Sequence, residues 1–251
     1  MATPKLLEIL KEQGVPAWNK FRKESGETNP DLSGAKLEYL DLRRANLSGA
    51  NLNGAELKFS DLTEAQLFYA DLNGAKLVAV KFIRADMRGA ALIDVDSEDV
   101  DLSYAKGSGA NLTGAQFMSA NLAFADLSDS VLMCDLSYAN LSHATLQRAN
   151  LSAANLTEAR LNGTDLSGAN LSHAILNGAQ LSDAVFGSTI LVGIDLSDVN
   201  GLDVLKHNGP SSIGIDTLYK SNGRIPDKFL RDIGVPEDVL EHLLPRIRAR
   251  Q

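Results

Sequence analysis

The sequence predicts an all-β solenoid flanked at both ends by short helices, on three observations. An apolar residue returns every five positions over most of the stretch from Leu32 to Leu196. The apolar content is dominated by small and unbranched-at-Cβ side chains, 39 Leu and 30 Ala, against 6% aromatic residues. The five-residue rhythm is absent from residues 1–29 and 201–251, where apolar residues fall at helical spacing. A helix repeats its apolar face about every 3.6 residues and a strand about every 2, so neither explains the middle of the chain. A short extended segment followed by a corner does: each five-residue unit forms one side of a polygonal coil.

The periodic positions run from Leu32 by fives to Leu132, then from Leu136 by fives to Leu196. Of these 34 centres, 28 are Leu, three Phe and one Met, and only Ser97 and Gly107 break the rule. Leu52, Leu72, Leu112, Leu151 and Leu171 are representative core residues. Two positions before the centre the residue is small, Ala in 23 of 34 cases, and the residue just before it is usually Asn or Asp, as in Asn46, Asn51, Asp61 and Asp71. One such unit buries almost nothing; stacked coils bury a continuous column. The pattern A-[DN]-L-x-x closely resembles the pentapeptide-repeat family. That resemblance implies a right-handed quadrilateral β-helix with four pentads per coil over residues 30–200. With coils about 4.8 Å apart, such a rod is on the order of 40 Å long.

A solenoid exposes its apolar column and unpaired edges at both ends, so caps are expected. Residues 1–29 form the N-terminal one: Leu6, Leu7, Ile9 and Leu10 sit at helical spacing within 4–11, Gly14 stops that helix, and a second helix near 17–23 brings Trp18 and Phe21 as a lid. Residues 201–251 read as a small helical module over the last coil. Pro210, Pro226 and Pro236 are placed at helix starts, and Pro245 ends or kinks the final helix. This segment resembles tails that follow pentapeptide repeats in other bacterial proteins, and it is able to dock or dimerise. Arg246, Arg248 and Arg250 form a basic end that reads as a solvated tail.

Two irregularities interrupt the rod. Between Leu132 and Leu136 the step is four, so one outward corner residue is missing around Met133–Cys134. Across residues 95–108 the centres become Ser97 and Gly107 while Asp94, Asp96, Glu98, Asp99 and Asp101 crowd in. Solenoids often carry function at such places; ordinary repeat decay is the favoured account of both.

The 251 residues carry a formal charge of −8 and a single cysteine. The charge argues against a generic nucleic-acid binder, which shows a basic face, and one cysteine excludes an intrachain disulfide scaffold. Lys5 and Glu8 interrupt the first ten residues, no apolar run approaches a membrane span, and a cytoplasmic bacterial protein is expected. Cys134 falls at an inward small-residue position and reads as a buried, inert thiol. His143 and His173 lie one and a half coils apart, on opposite sides, and cannot share a metal; His207 and His242 share the tail without supporting ligands. The acids of 94–101 lack an ordered calcium loop, and the glycines follow corner spacing and form no phosphate loop. No enzyme, cofactor or metal is expected.

What remains is surface. Residues twenty apart stack on one face, giving a column of Asp41, Asp61 and Asp101 interrupted by Lys81. Tyr39 and Phe59 stack likewise, as do Tyr104 and Phe124, and Phe68 and Tyr69 are outward neighbours. Outward aromatics suit an interface core; stacked ladders that stabilise the coil suit the pattern equally. Residues 30–200 hold 21 acids and 11 bases, so the rod carries the negative charge. The expected function is a non-enzymatic scaffold that binds a protein partner. The alternative implied by the resemblance is a DNA mimic that modulates a type II topoisomerase such as gyrase, though Lys76, Lys81, Arg84, Arg88 and Lys106 interrupt its acidic surface.

Overall fold

The computed structural model describes residues 3–249, so Arg250 of the basic end lies outside the described residues. From residue 31 to residue 200 most of the backbone repeats one short cycle of a bridging residue, a buried centre and a tight turn. The bridging residue pairs in parallel with the residue twenty positions on: Asp31 with Asn51, Lys36 with Glu56, Asp41 with Asp61, and Asn46 with Gln66. Asn51 then pairs with Asp71 to begin the next round, so each coil is made of four five-residue sides. Each inner side bonds both neighbours: Asn51 N–H donates to Pro30 O (3.0 Å) on the coil before and Leu52 N–H to Asp71 O (2.6 Å) on the coil after.

The corner explains the five-residue period. Ala35 N–H returns to Leu32 O (3.1 Å) across a turn whose third residue, Gly34, has φ +63°. A positive φ at that position is the mark of a type II turn. The Asn or Asp before each centre is part of the same device. Its side chain accepts the N–H two residues on, as when Asp31 Oδ1 accepts Ser33 N–H (3.0 Å) and Asp61 Oδ1 accepts Thr63 N–H (2.9 Å). This Asx bond is what the side chain supplies at that position.

All 34 centres are buried, Leu52, Leu72, Leu112, Leu151 and Leu171 among them. The small residues two positions before them are buried too, apart from the half-buried Leu40. The two irregular centres are absorbed locally. Ser97 donates its hydroxyl to Gln116 O (2.8 Å), and Leu127 leans into the space that a side chain at Gly107 would take. At the four-residue step, Cys134 N–H donates to Leu132 O (2.9 Å), a bond across two residues that replaces the usual turn across three. Pairing passes from Asn111–Val131 to Gln116–Asp135, and by Asp135–Asn155 the coil is back to twenty.

The N-terminal cap runs through α1 (Pro4–Glu8), a π-helical turn (Ile9–Gln13) and α2 (Gly14–Ser25). Gly14, at φ +78°, bends the chain between the two helices, as the sequence suggested. At the other end β1 (Val185–Phe186) and β2 (Ile190–Leu191) pair in parallel with β3 (Lys206–His207) and β4 (Ser212–Ile213). The segment after residue 200 therefore first extends the coil, which corrects the purely helical reading of 201–251. Pro210 lies between β3 and β4 and its carbonyl accepts Ser188 N–H (2.7 Å); it starts no helix. Helices α3 (Ile215–Lys220) and α4 (Asp227–Asp232) follow. A π-helical turn (Val239–Leu243) then leads into α5 (Leu244–Arg248), with Pro245 in its first turn. The proline's missing N–H coincides with that widened turn. Arg248 belongs to the fold: it donates to Gly223 O (2.8 Å) and Ile225 O (3.2 Å) and pairs with Asp227 (2.6 Å). That corrects its assignment to a solvated tail.

Candidate functional site

The exposed aromatic surface of the rod is built on the corners. Among the described residues, twenty-two other than glycine hold positive φ, nearly all at pentad corners, and these include Tyr39, Phe59, Tyr69, Tyr104, Phe124 and Tyr138. An L side chain held there costs about 1–2 kcal/mol of backbone strain, and all six rings are exposed. Corner side chains run along the rod onto the corner of the next coil. Where a long side chain lies, the next corner is often glycine: a Cβ at Gly163 would meet His143 Nδ1 at 2.6 Å, and one at Gly168 would meet Arg148 Cγ at 3.2 Å.

Three aromatic groups result. Tyr39 and Phe59 stack with ring centres 5.0 Å apart and planes 11° from parallel. Phe68 and Tyr69 meet at 4.2 Å, with Arg88 over the Phe68 ring at 5.3 Å. The longest is a ridge along one corner: Arg84 lies over Tyr104 at 5.5 Å, Tyr104 stacks on Phe124 at 4.9 Å, and Phe124 on His143 at 5.0 Å. The sequence reading found all three aromatic pairs; it missed Arg84 and His143 as members of one stack. Their spacing of twenty and nineteen residues was the available signal.

The acidic column is present, with Asp41 paired to Asp61, Asp61 to Lys81 and Lys81 to Asp101. Its carboxylates are occupied. Asp41 forms a two-pronged pair with Arg43 (2.7 and 2.5 Å), whose guanidinium holds the Asp41 pKa at about 2. Asp101 accepts Ser103 N–H (2.9 Å) and the Asn121 amide (3.1 Å). Elsewhere on the rod Arg44 pairs with Glu64, Lys76 with Glu56, Arg88 with Asp86, and Arg148 with Asp129.

Cys134 is buried, and burial pushes its pKa to about 12, so the thiolate that nucleophilic chemistry requires is suppressed. Among the described residues no group of three His, Cys, Asp or Glu side chains is placed to hold a metal ion. His143 and His173 sit on different corners; His242 Nδ1 faces Asp238 O (3.0 Å), while His207 lies against Phe229. A groove of about 850 Å³ opens between the start of α2 and the first coils, lined by Val15, Pro16 and Asn19 and by the Asp41–Arg43 and Arg44–Glu64 pairs. No described helix is long and apolar enough to cross a membrane.

The five-residue repeat is matched by a known family. A family model for pentapeptide repeats matches residues 31–67, 60–96, 98–132, 134–172 and 164–200. The chain belongs to the pentapeptide repeat family. Among solved members, HetL from the cyanobacterium Nostoc sp. strain PCC 7120, involved in heterocyst differentiation regulation, is 27% identical. That match covers 78% of this chain and 95% of HetL, with a TM-score of 0.55. A trypsin-treated variant of QnrB1, a plasmid-mediated fluoroquinolone resistance protein, is 21% identical over 69% of this chain and 89% of its own, with a TM-score of 0.42. Rfr23 from the cyanobacterium Cyanothece 51142 is 22% identical over 57% of this chain and 91% of its own, with a TM-score of 0.23. No curated protein sequence matches the chain.

Proposed function

We propose that this pentapeptide repeat protein is a non-enzymatic, cytoplasmic scaffold, a right-handed quadrilateral β-helix that docks a protein partner on its aromatic corners. Residues 30–200 form the rod, 1–29 its N-terminal cap and 201–251 a C-terminal module that caps it and offers a surface for dimerisation. The observation that carries the reading is the placement of six exposed rings on strained corners. Strain and apolar exposure both oppose folding, and stacking offsets them only in part. Aromatic anchors held on a rigid frame are also what protein interfaces use most. The ridge of Tyr104 and Phe124 is the centre of this surface; Tyr39, Phe59, Phe68 and Tyr69 extend it, and Asp41, Asp61 and Asp101 provide polar flanks. Affinity capture from the native host with the full chain, beside the Tyr104→Ser/Phe124→Ser double variant, tests the reading. A partner kept by the first and lost by the second supports it; an identical set on both removes it.

The second reading, a topoisomerase-modulating DNA mimic, draws on the surplus of 21 acids over 11 bases in the rod. The ion pairs along the rod weaken it, because they neutralise carboxylates that would stand in for phosphates. A supercoiling assay decides the matter: unchanged gyrase activity at micromolar protein, with and without a quinolone, eliminates this reading.

A further inference from the structure

His207 sits where the C-terminal module closes the rod. It lies on β3, which pairs with β1 so that His207 is opposite Phe186. Its ring faces Phe229 of α4 at 6.0 Å, and Phe229 also makes an edge contact with Phe186 at 6.2 Å. Both imidazole nitrogens are shielded from solvent, and neither has a hydrogen-bond partner among the described residues. The charged groups facing the ring come from α4: Asp232, whose Oδ2 is 3.8 Å from Nε2, and Lys228. Asp232 already serves Lys228 at 3.4 Å, and Lys228 also donates to Asp203 O (2.7 Å). On β3 itself Lys206 pairs outward with Asp183 at 3.2 Å. The imidazole is thus the polar element of a contact between two aromatic rings, with one carboxylate beside it that is shared with a lysine.

We propose that His207 makes the closure of the rod end acid-sensitive, its protonation loosening the seat of β3 and α4 on the last coils. A charged imidazole carries two donors and needs acceptors for both. The site offers Asp232 alone, beyond hydrogen-bond distance, and a neighbouring ammonium that opposes the new charge. Burial holds the imidazole pKa below its ordinary value, against the pull of Asp232 and with the help of Lys228. The sign follows. A group whose folded pKa is depressed binds the proton more tightly in the open form, so closure is fully stable above the open-form pKa near 6.5 and weakens as pH falls below it.

Two measurements on the full chain test this. Nuclear magnetic resonance titration of the His207 ring reports its protonation directly, and a midpoint below 6.5 is expected. Hydrogen exchange of the amides in 206–213 and 228–233 reports the closure. Compared with the His207→Phe protein at each pH, so that the exchange chemistry cancels, the wild-type opening ratio rises by up to about tenfold per pH unit below 6.5. A midpoint at or above 6.5 means that Asp232 stabilises the charged ring and overturns the proposal. So does a wild-type to variant ratio that stays flat from pH 7 to pH 5. Should His207→Phe not fold, the titration and the exchange of amides 206–213 against those of the mid-rod coils in the same sample carry the same two outcomes.

Discussion

A leucine at a pentad centre has neighbours above and below that are held by their own backbone bonds, so the wall cannot collapse into a hole. Leu151→Ala therefore costs about 2–5 kcal/mol in denaturant unfolding. Glycine corners divide into two kinds. Gly54 has φ +65° and open space where a Cβ would stand, whereas a Cβ at Gly89 would collide with the Tyr69 ring. Gly54→Ala then costs about 1–2 kcal/mol of left-handed strain, and Gly89→Ala costs that and the displacement of Tyr69; equal losses would contradict the axial course of the corner side chains. The Cys134 thiol, with its pKa at about 12, reacts with a disulfide reagent at pH 8 only as fast as the chain opens. Asp41 titrates at about 2, below the usual carboxylate value near 3.9, so its pair with Arg43 contributes above that value and is lost as pH falls toward 2. Asp41→Asn flattens the stability profile over that window, modestly, since the pair is exposed.

The caps replace a missing coil with side chains. At the N-terminal edge, α2 presents Trp18 and Asn19 and, one turn on, Arg22. Trp18 Nε1 donates to Asn46 O (2.8 Å), Asn19 Oδ1 accepts Asn46 N–H (2.8 Å), and Arg22 donates to Asn46 O (2.9 Å) and Ser48 O (2.8 Å). At the C-terminal edge Thr217 donates to Leu191 O (2.9 Å), Ser221 Oγ accepts Leu196 N–H (2.9 Å), and Lys220 donates to Gly193 O (2.7 Å). Removing one such partner leaves a coil-edge group unsatisfied, so Arg22→Ala lowers stability by about 1–3 kcal/mol and opens an edge to pairing between copies. Light scattering of that variant is expected to show concentration-dependent association beyond that of the wild type. The lid at Trp18 was readable, because a large ring just before the first pentad has one apolar surface to cover. Asn19 and Arg22 were not, since the coil-edge groups they meet are backbone atoms more than twenty residues away. For the same reason β3 and β4 were invisible: Lys206 and His207 pair without a leucine centre to mark the coil.

At the scale of the whole molecule the period fixed nearly everything about the rod and little about its use. Five-residue spacing, stacked walls and a break that costs one corner residue were all present in the chain. The number of sides per coil became an observation only with the pairing of residues twenty apart. The surface reading was legible as columns, but the occupation of its carboxylates was not, because the Asx bonds and ion pairs depend on turn geometry. The acids thus serve the turns first, and the aromatic ridge is the surface we propose for binding. Comparative capture from the native host tests that claim most directly, using the full chain and its Tyr104→Ser/Phe124→Ser variant, with thermal unfolding confirming that both are folded. The account predicts a partner held at stoichiometric level by the wild type and lost from the variant. A partner held equally by both would contradict it.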